Sequence, residues 1–457
     1  MVEIIQENKT IFMYKDSSVI RETESVCPIC LARIKADIKE KDSGVYLEKS
    51  CIKHGTFRLL LSRHPEYYRE LNDFYFSLMS ESHPQHDYIL HLTNTCNLNC
   101  PICLADANQR GTQDYSLKDL KEFLKNKKNY KIDLMGAEPT TREDLPEIIE
   151  TVNRSGNIAA LHTNGIKLAD FDYLKLLVDS GLHEVHLQFD GFDDWAYEQI
   201  RGRKLLATKI DALENLERLD VATDLVATIV RGVNEREMVK ILDFGVRKTY
   251  IKEIFFLGCR FLGAAKTLPI ENCIMPDELI DMLQEQTKGK ISRANIYQFQ
   301  KLYFALLSAF SKRKCFYIHH YMIIRNQSGF IPLDQIIDLK VIEDNLEKFK
   351  DMKIRGNKLA LPYLMVCLIF KLVGLRGLFL LREFLSFSFP FIRGFNLSKL
   401  PRKSVLLGFI TACDSYSLDY QIAQNCGKGA ISVEFGVEDC GAIDNVRRDN
   451  FKVKELK

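Results

Sequence analysis

At 457 residues the chain is too long for one small domain and long enough to bury a large core, so two to four units are expected. Its 63 Lys and Arg against 61 Asp and Glu leave a formal charge of +2, which excludes the strong basic footprint of a nucleic-acid binder. Thirteen cysteines are too few for a disulfide-stapled miniprotein, and their grouping points to metal binding in a reducing compartment. The opening stretch Met1–Lys9 has no basic region followed by an apolar run, so no signal peptide is expected and the cytoplasm is the expected location.

The first unit, residues 1–58, carries Cys27-Pro28-Ile29-Cys30 and Cys51-Ile52-Lys53-His54-Gly55, two short loops about 20 residues apart. Between them a turn at Asp42-Ser43-Gly44 leads into the alternating run Val45-Tyr46-Leu47-Glu48, a strand pattern. The thiolates of Cys27, Cys30 and Cys51 with the His54 imidazole make a tetrahedral set for zinc or a rubredoxin-like mononuclear iron. The other reading leaves His54 on the surface and the fourth ligand elsewhere. So small a unit has little core, and a bound metal would supply much of its folding energy. Residues 59–86 read as a helical linker, ending in a polar stretch with Pro84.

From 87 to 265 strands and helices alternate. Strands are expected at 87–92, 130–135, 157–162, 184–189, 222–230 and 251–257, and helices at 145–152 and 173–178. A further helix is capped by Ser116 with Asp119 three residues on. Most of these strands are apolar enough for a parallel sheet. The expected fold is α/β, a partial (β/α)6 barrel between a metal-knuckle domain and an α+β C-terminal region, with its chemistry at the strand ends.

Directly after the first barrel strand comes Cys96-Asn97-Leu98-Asn99-Cys100-Pro101-Ile102-Cys103. Soft thiolates at spacings of four and three suit an iron–sulfur cluster. A [4Fe–4S] cube normally takes four protein thiolates, so three would leave one iron open to another ligand. A zinc knuckle lacking its fourth ligand is the competing reading. At the next strand end lies Met135-Gly136-Ala137-Glu138-Pro139, then His162-Thr163-Asn164-Gly165, then Gln188-Phe189-Asp190-Gly191.

Together these residues resemble the radical S-adenosylmethionine (radical SAM) superfamily over residues 87–265. The resemblance implies a TIM-like barrel whose [4Fe–4S] cluster is held by Cys96, Cys100 and Cys103. It also implies that the backbone at Gly136 and the Glu138 carboxylate receive the methionyl ammonium. Ala137 stands where the family has a second glycine. Asn164 is then expected to shape the nucleoside pocket, with Gln188 or Asp190 meeting the ribose; Asp190 as a local cap is the alternative. The implied activity is reductive cleavage of S-adenosylmethionine followed by hydrogen abstraction, fed by a small electron donor such as ferredoxin or flavodoxin.

Residues 266–457 read as a C-terminal auxiliary region. The whole layout resembles the subfamily containing the archaeal tetraether lipid synthase, where further cysteines hold auxiliary clusters. Cys413, Cys426 and Cys440 are three thiols, and a four-thiolate auxiliary [4Fe–4S] site needs Cys273, Cys315 or Cys259 as the fourth. The alternative makes some of them buried small hydrophobes. One departure stands out: Asn295–Phe304 occupies the place of an expected cysteine-rich insert. Residues 359–392 are unusually apolar but broken by Lys371, Arg376 and glycines. They either lie at a membrane face, line a pocket for hydrocarbon tails, or form a buried helical pair. The leading expectation is therefore hydrogen abstraction from an unactivated C–H bond, in a lipid chain by subfamily resemblance. A peptide- or protein-modifying radical SAM enzyme is the first alternative, and an iron–sulfur electron-transfer or scaffold protein the second.

Overall fold

The computed structural model describes residues 2–5, 18–79, 87–109, 114–267, 273–313, 315–370, 382–383, 391–392, 395–396, 402–432, 437–443 and 446. The N-terminal unit is an antiparallel sheet of β1 (Val2–Ile5), β2 (Ser18–Val26), β3 (Arg33–Lys41), β4 (Gly44–Cys51) and β5 (Gly55–Ser62), in the order β1-β5-β4-β3-β2. Lys41 pairs with Gly44 across the β3–β4 hairpin, whose two turn residues Asp42 and Ser43 both have positive φ, 47° and 61°. That twist matches a tight two-residue hairpin. Helix α1 (Pro65–Leu78), opened by its first-turn proline, follows in the stretch expected to be a helical linker.

The second sheet holds the expected partial barrel. Its parallel strands are β6 (Asp87–His91), β7 (Lys131–Met135), β8 (Ile158–Thr163), β9 (Glu184–Gln188), β10 (Ala222–Ile229) and β11 (Ile251–Gly258), hydrogen-bonded in sequence order. Their connections carry α2 (Leu117–Leu124), α3 (Leu145–Arg154), α4 (Phe171–Asp179), α5 (Asp194–Arg201), α6 (Leu206–Arg218) and α7 (Met238–Arg247). The Ser116 hydroxyl accepts from the Asp119 N–H at 3.1 Å, so the expected cap of α2 is present. Ile132, Leu134, Ala159, Leu161, Val185, Leu187 and Leu225 are fully buried, as parallel strands covered by helices require.

The sheet does not stop at residue 265. After α8 (Pro276–Gln286) and α9 (Arg293–Ala309) come β12 (Ile318–Asn326), β13 (Gly329–Pro332), α10 (Lys340–Ile354) and α11 (Ala360–Phe370). A short hairpin of β14 (Phe391–Ile392) and β15 (Phe395–Asn396) precedes β16 (Ser404–Thr411), which pairs in parallel with β11 and antiparallel with β12. Beyond α12 (Tyr420–Gln424), β17 (Lys428–Ser432) pairs in parallel with β6 and antiparallel with β18 (Val437–Cys440). Both open edges of the six-stranded sheet are thus covered by strands from the C-terminal region.

The stretch 295–304, where an insert was expected, lies in α9, whose residues from Ile296 to Ser308 are buried apart from Gln298. Of the apolar run at 359–392, Ala360, Leu364 and Cys367 face the core, and the Tyr363 hydroxyl donates to Asn345 Oδ1 of α10 at 2.9 Å. Leu359 and Val366 are exposed. Residues 371–381 and 384–390 of that run lie outside the described residues. Among the described residues no helix is long and apolar enough to cross a membrane.

Candidate active site

The loop leaving β6 is tied first to its neighbouring strand end. Leu92 N–H donates to Met135 O at 2.8 Å, Ala137 N–H to Thr93 O at 2.8 Å, and Glu138 N–H to Thr95 O at 3.1 Å. This short ladder brings Glu138 beside the cysteine loop. Asn108 then closes the loop: its Oδ1 accepts from Cys96 N–H at 2.9 Å, while its Nδ2 donates to Cys96 O, Leu98 O and Asn99 Oδ1. Cys96 Sγ accepts from Leu98 N–H at 3.3 Å, and Cys103 Sγ from Ala107 N–H at 3.4 Å.

Cys96, Cys100 and Cys103 all line one cavity of about 280 Å³, shared with Gly136, Glu138 and Asn164. Burial pushes the Cys96 thiol up to about 12 and raises Cys100, where neighbouring Arg201 opposes the shift. Both favour the protonated thiol until a metal takes the sulfur. Gly136 has φ +138°, and a Cβ there would sit 2.5 Å from Thr93 O. A Gly136→Val variant is therefore expected to lose about 2–4 kcal/mol of stability together with its bound iron, read by urea unfolding and iron analysis.

Glu138 is 1% exposed. Its Oε1 accepts from Thr140 N–H (3.1 Å), Thr140 Oγ1 (2.6 Å) and Thr163 Oγ1 (2.7 Å), whereas Oε2 accepts from Asn164 N–H at 2.7 Å. The carboxylate is oriented on one oxygen and keeps acceptor capacity on the other, suited to a cation from the cavity. Asn164 lines the cavity and donates through Nδ2 to Asn97 Oδ1 at 2.7 Å. Gln188 also lines it, with its Oε1 held by Lys209 Nζ at 2.6 Å.

Asp190 is placed differently from the cofactor contact expected of it. It is fully buried and absent from the cavity wall; its carboxylate accepts from Arg201 Nε at 2.7 Å, Arg201 Nη2 at 3.0 Å and Thr228 N–H at 3.0 Å. Arg201 is the residue that reaches the cavity, beside Cys100. The reason is charge: a buried carboxylate so close to a guanidinium is stabilised by the pair, and the longer arginine spans the gap. Arg201→Met would take from buried Asp190 the guanidinium that both its oxygens bind, and a loss of about 3–5 kcal/mol is expected in chemical denaturation. Nothing in the local sequence marks the Arg201–Asp190 pairing, the Lys209 contact or the hydrogen bond that Thr163 makes to Glu138.

In the N-terminal sheet the four expected ligands converge. His54 Nδ1 lies 3.5 Å from both Cys27 Sγ and Cys51 Sγ, and Cys30 Sγ is 3.9 Å from Cys51 Sγ. A tetrahedral zinc site requires S···N and S···S separations of about 3.5–3.8 Å, so this set fits one ion.

The C-terminal thiols divide into two places. Burial, with the neighbouring thiols of Cys315, Cys426 and Cys440, raises Cys413 well above the usual thiol range. Among the described residues the compact groups able to hold a single metal ion include the N-terminal set and not these thiols. Of the three candidates for a fourth thiol, Cys315 is the one near Cys413. Cys273 instead lies near Cys259 and Arg260, and burial pushes its thiol up to about 11. Arg260 pairs with buried Asp414 at 2.8 Å, adjoining Cys413.

Three cavity-facing thiols at one parallel-strand end, with an oriented carboxylate at the next, define an iron–sulfur barrel enzyme. The chain belongs to the radical SAM superfamily. The superfamily's own pattern matches residues 90–245, and that of the HMPTM N-terminal zinc ribbon domain matches residues 19–63. The chain is 32% identical over 397 residues to a Methanocaldococcus jannaschii protein named 7,8-dihydro-6-hydroxymethylpterin dimethyltransferase, covering 75% of this chain and 78% of that one. It is 27% identical over 168 residues to a Pyrococcus abyssi protein named probable GTP 3′,8-cyclase, covering 36% and 54%. Among solved structures, Streptococcus suis SuiB bound to precursor peptide SuiA aligns with a TM-score of 0.39 at 15% identity, over 49% of each chain. The protein is an enzyme whose family cofactors are a [4Fe–4S] cluster and S-adenosylmethionine, and its N-terminal thiols fit zinc.

Proposed function

We propose that this enzyme functionalises a C–H bond of a small polar substrate built on a fused nitrogen heterocycle. In this reading Cys96, Cys100 and Cys103 hold the cluster, and Glu138 with the Gly136 backbone orients the methionyl ammonium. Asn164 and Gln188 border the nucleoside, and Arg201 sets the charge beside Cys100. The bound cofactors supply one-electron cleavage of the sulfonium and a hydrogen-abstracting group; the chain orients the reactants and excludes water. A small reductant such as ferredoxin or flavodoxin provides the electron.

The observation carrying this reading is the single cavity lined by all three thiols, Glu138 and Asn164. The heterocycle rests on the names of the two relatives, one of a pterin and one of GTP. The gathering of Cys315, Cys426 and Cys440 around buried Cys413 supports one auxiliary [4Fe–4S] cluster held by these four thiols. Zinc or mononuclear iron occupies the N-terminal site.

A second reading, C–H abstraction in a lipid hydrocarbon chain as in the tetraether lipid synthase subfamily, is favoured by apolar α11 with exposed Leu359 and Val366. It would place the enzyme peripherally at a membrane. Against it, none of the described residues of 359–370 lines the cavity. Deoxyadenosine release from the anaerobic, reduced enzyme is measured with 7,8-dihydro-6-hydroxymethylpterin, with ether lipid vesicles and with a peptide pool. Stimulation by the pterin alone is expected. Stimulation by vesicles or by peptides alone would replace the heterocycle with that class.

A further inference from the structure

Beneath the thiols and Glu138, the barrel interior carries ionisable side chains that cluster and cofactor binding leave unused. β7 contributes Lys131 and Asp133, β8 His162, β9 Glu184 and His186, β10 Asp224, and β17 Lys428. Most are paired: Lys131 Nζ lies 3.0 Å from Glu184 Oε1, and Lys428 Nζ 2.5 Å from Asp133 Oδ2. His186 sits between Glu184, 2.8 Å from its Nε2, and Asp224, 3.1 Å from its Nδ1. Burying so many charges costs more than packing the same volume with apolar groups. A barrel needing only stability would fill its interior with branched aliphatics.

Three buried atoms in this group are incompletely satisfied. Asp133 Oδ1 and His162 Nε2 are buried and face each other at 3.4 Å, in contact but, like His186 Nε2, without a well-formed hydrogen bond. The His162 ring lies on His186 with centroids 4.1 Å apart and planes 13° from parallel. That stack argues against a shared metal ion, because an imidazole binds through a lone pair in its own plane and near-parallel planes do not meet at one ion. His162 and His186 both form part of the wall of the cavity that holds Cys96, Cys100 and Cys103. The His162 side chain is 23% exposed, while Asp133 behind it is fully buried. Burial brings the His162 imidazole down to about 3, so it is neutral at physiological pH, with one donor and one acceptor nitrogen.

We propose that this histidine floor is a subsite for the hydrogen-bonding edge of a fused nitrogen heterocycle, with His162 touching the substrate and Asp133 positioning the ring from behind. The inference rests on the reading above that the cavity takes the substrate. A neutral imidazole complements the alternating N–H and C=O groups of a pterin or purine edge. A bare alkyl chain in the same place would cover ionisable groups without replacing any hydrogen bond, which is costly.

The test is binding of 7,8-dihydro-6-hydroxymethylpterin to the anaerobic full chain, reconstituted with iron and sulfide and saturated with S-adenosylmethionine. Wild type is compared with His162→Phe, which keeps a flat ring but no nitrogen, with His162→Asn, which keeps a donor and an acceptor, and with Asp133→Asn. His162→Phe is expected to weaken binding roughly tenfold or more, the weight of a lost hydrogen bond to a buried group. His162→Asn should recover part of the loss, and Asp133→Asn should fall between wild type and His162→Phe. Equal iron content across the series reports intact folding; if His162→Phe loses its iron, the comparison passes to His162→Asn and Asp133→Asn. Affinities within twofold of wild type in every folded variant would overturn the subsite. Wild type that binds no pterin but releases deoxyadenosine with lipid vesicles would also overturn it while leaving radical SAM chemistry standing. Wild type that assembles no [4Fe–4S] cluster would instead sink the cofactor assignment on which both readings depend.

Discussion

Replacing Cys96, Cys100 and Cys103 together by alanine is expected to abolish S-adenosylmethionine cleavage and remove one [4Fe–4S] cluster, while a second cubane signal survives. The three thiols share one cavity wall, so no other cysteine of the described residues can stand in at that strand end except Cys259, which also lines the cavity. Cys259 directly follows the end of β11, at the other edge of the six-strand order from β6, and its N–H donates to Ile229 O at 3.0 Å. The surviving signal would belong to Cys315, Cys413, Cys426 and Cys440, which lie near one another and off the wall of the first cavity. Mössbauer spectroscopy with iron and sulfide analysis on anaerobic protein separates the outcomes. Loss of both signals in the triple variant would make the C-terminal thiols structural and remove the auxiliary cluster from the mechanism.

The other large effect is expected at the N-terminal metal site. Cys27→Ser with Cys51→Ser removes two of four ligands from a sheet with little core of its own, and structural zinc contributes about 10–16 kcal/mol in comparable small units. The damage should not stay local. Lys49 Nζ, buried in β4, donates to Ser25 Oγ (2.9 Å), Ser415 O (2.7 Å) and Tyr416 O (2.9 Å). Arg21 holds Asp419 at 2.6 Å and Gln421 at 2.6 Å, and Thr23 Oγ1 donates to Asp419 at 2.7 Å. Tyr416 packs against the ligand cysteines, edge-on to Phe57 at 6.3 Å. The C-terminal partners in these contacts, Ser415, Tyr416, Asp419 and Gln421, all lie between Cys413 and Cys426. Hydrogen exchange across 413–426 is expected to accelerate in the double variant, and auxiliary iron to fall with it. Unchanged protection there would show that the N-terminal sheet folds without influence on the thiol quartet.

Much of the scaffold was legible because it is locally encoded. Six apolar strands alternate with helices, and each was located within a residue or two by periodicity and turn residues. The spacing of Cys27, Cys30, Cys51 and His54 reflects a ligand geometry that two tight loops can satisfy alone, and the structure brings those atoms together. What escaped is long-range. Nothing near Ser404 or Lys428 announces that β16 and β17 pair with β11 and β6, since pairing depends on the partner edge and not on the strand itself. The nearness of Cys315 to Cys413, with Cys273 lying by Cys259 and Arg260 instead, likewise depends on how the region folds back. Asp190 was read from its motif, but its burial is set by Arg201 eleven residues away and Thr228 on a different strand. His162 was visible as a letter in its motif; its pairing with Asp133 needed the sheet register.

The late arrival of β16 and β17 has a consequence for how the polypeptide acquires its shape during synthesis. Six strands emerge from the ribosome in the order in which they pair, each beside its predecessor. For the time needed to translate the intervening residues, the nascent sheet exposes two unsatisfied rims, β11 on one side and β6 on the other. Synthesis at about 5–20 residues per second leaves those rims uncovered for many seconds, long enough to recruit a chaperone or a neighbouring nascent chain. The final strands therefore act as the closing seam of the molecule, and shortening the chain before residue 428 should produce aggregation and not merely an inactive enzyme.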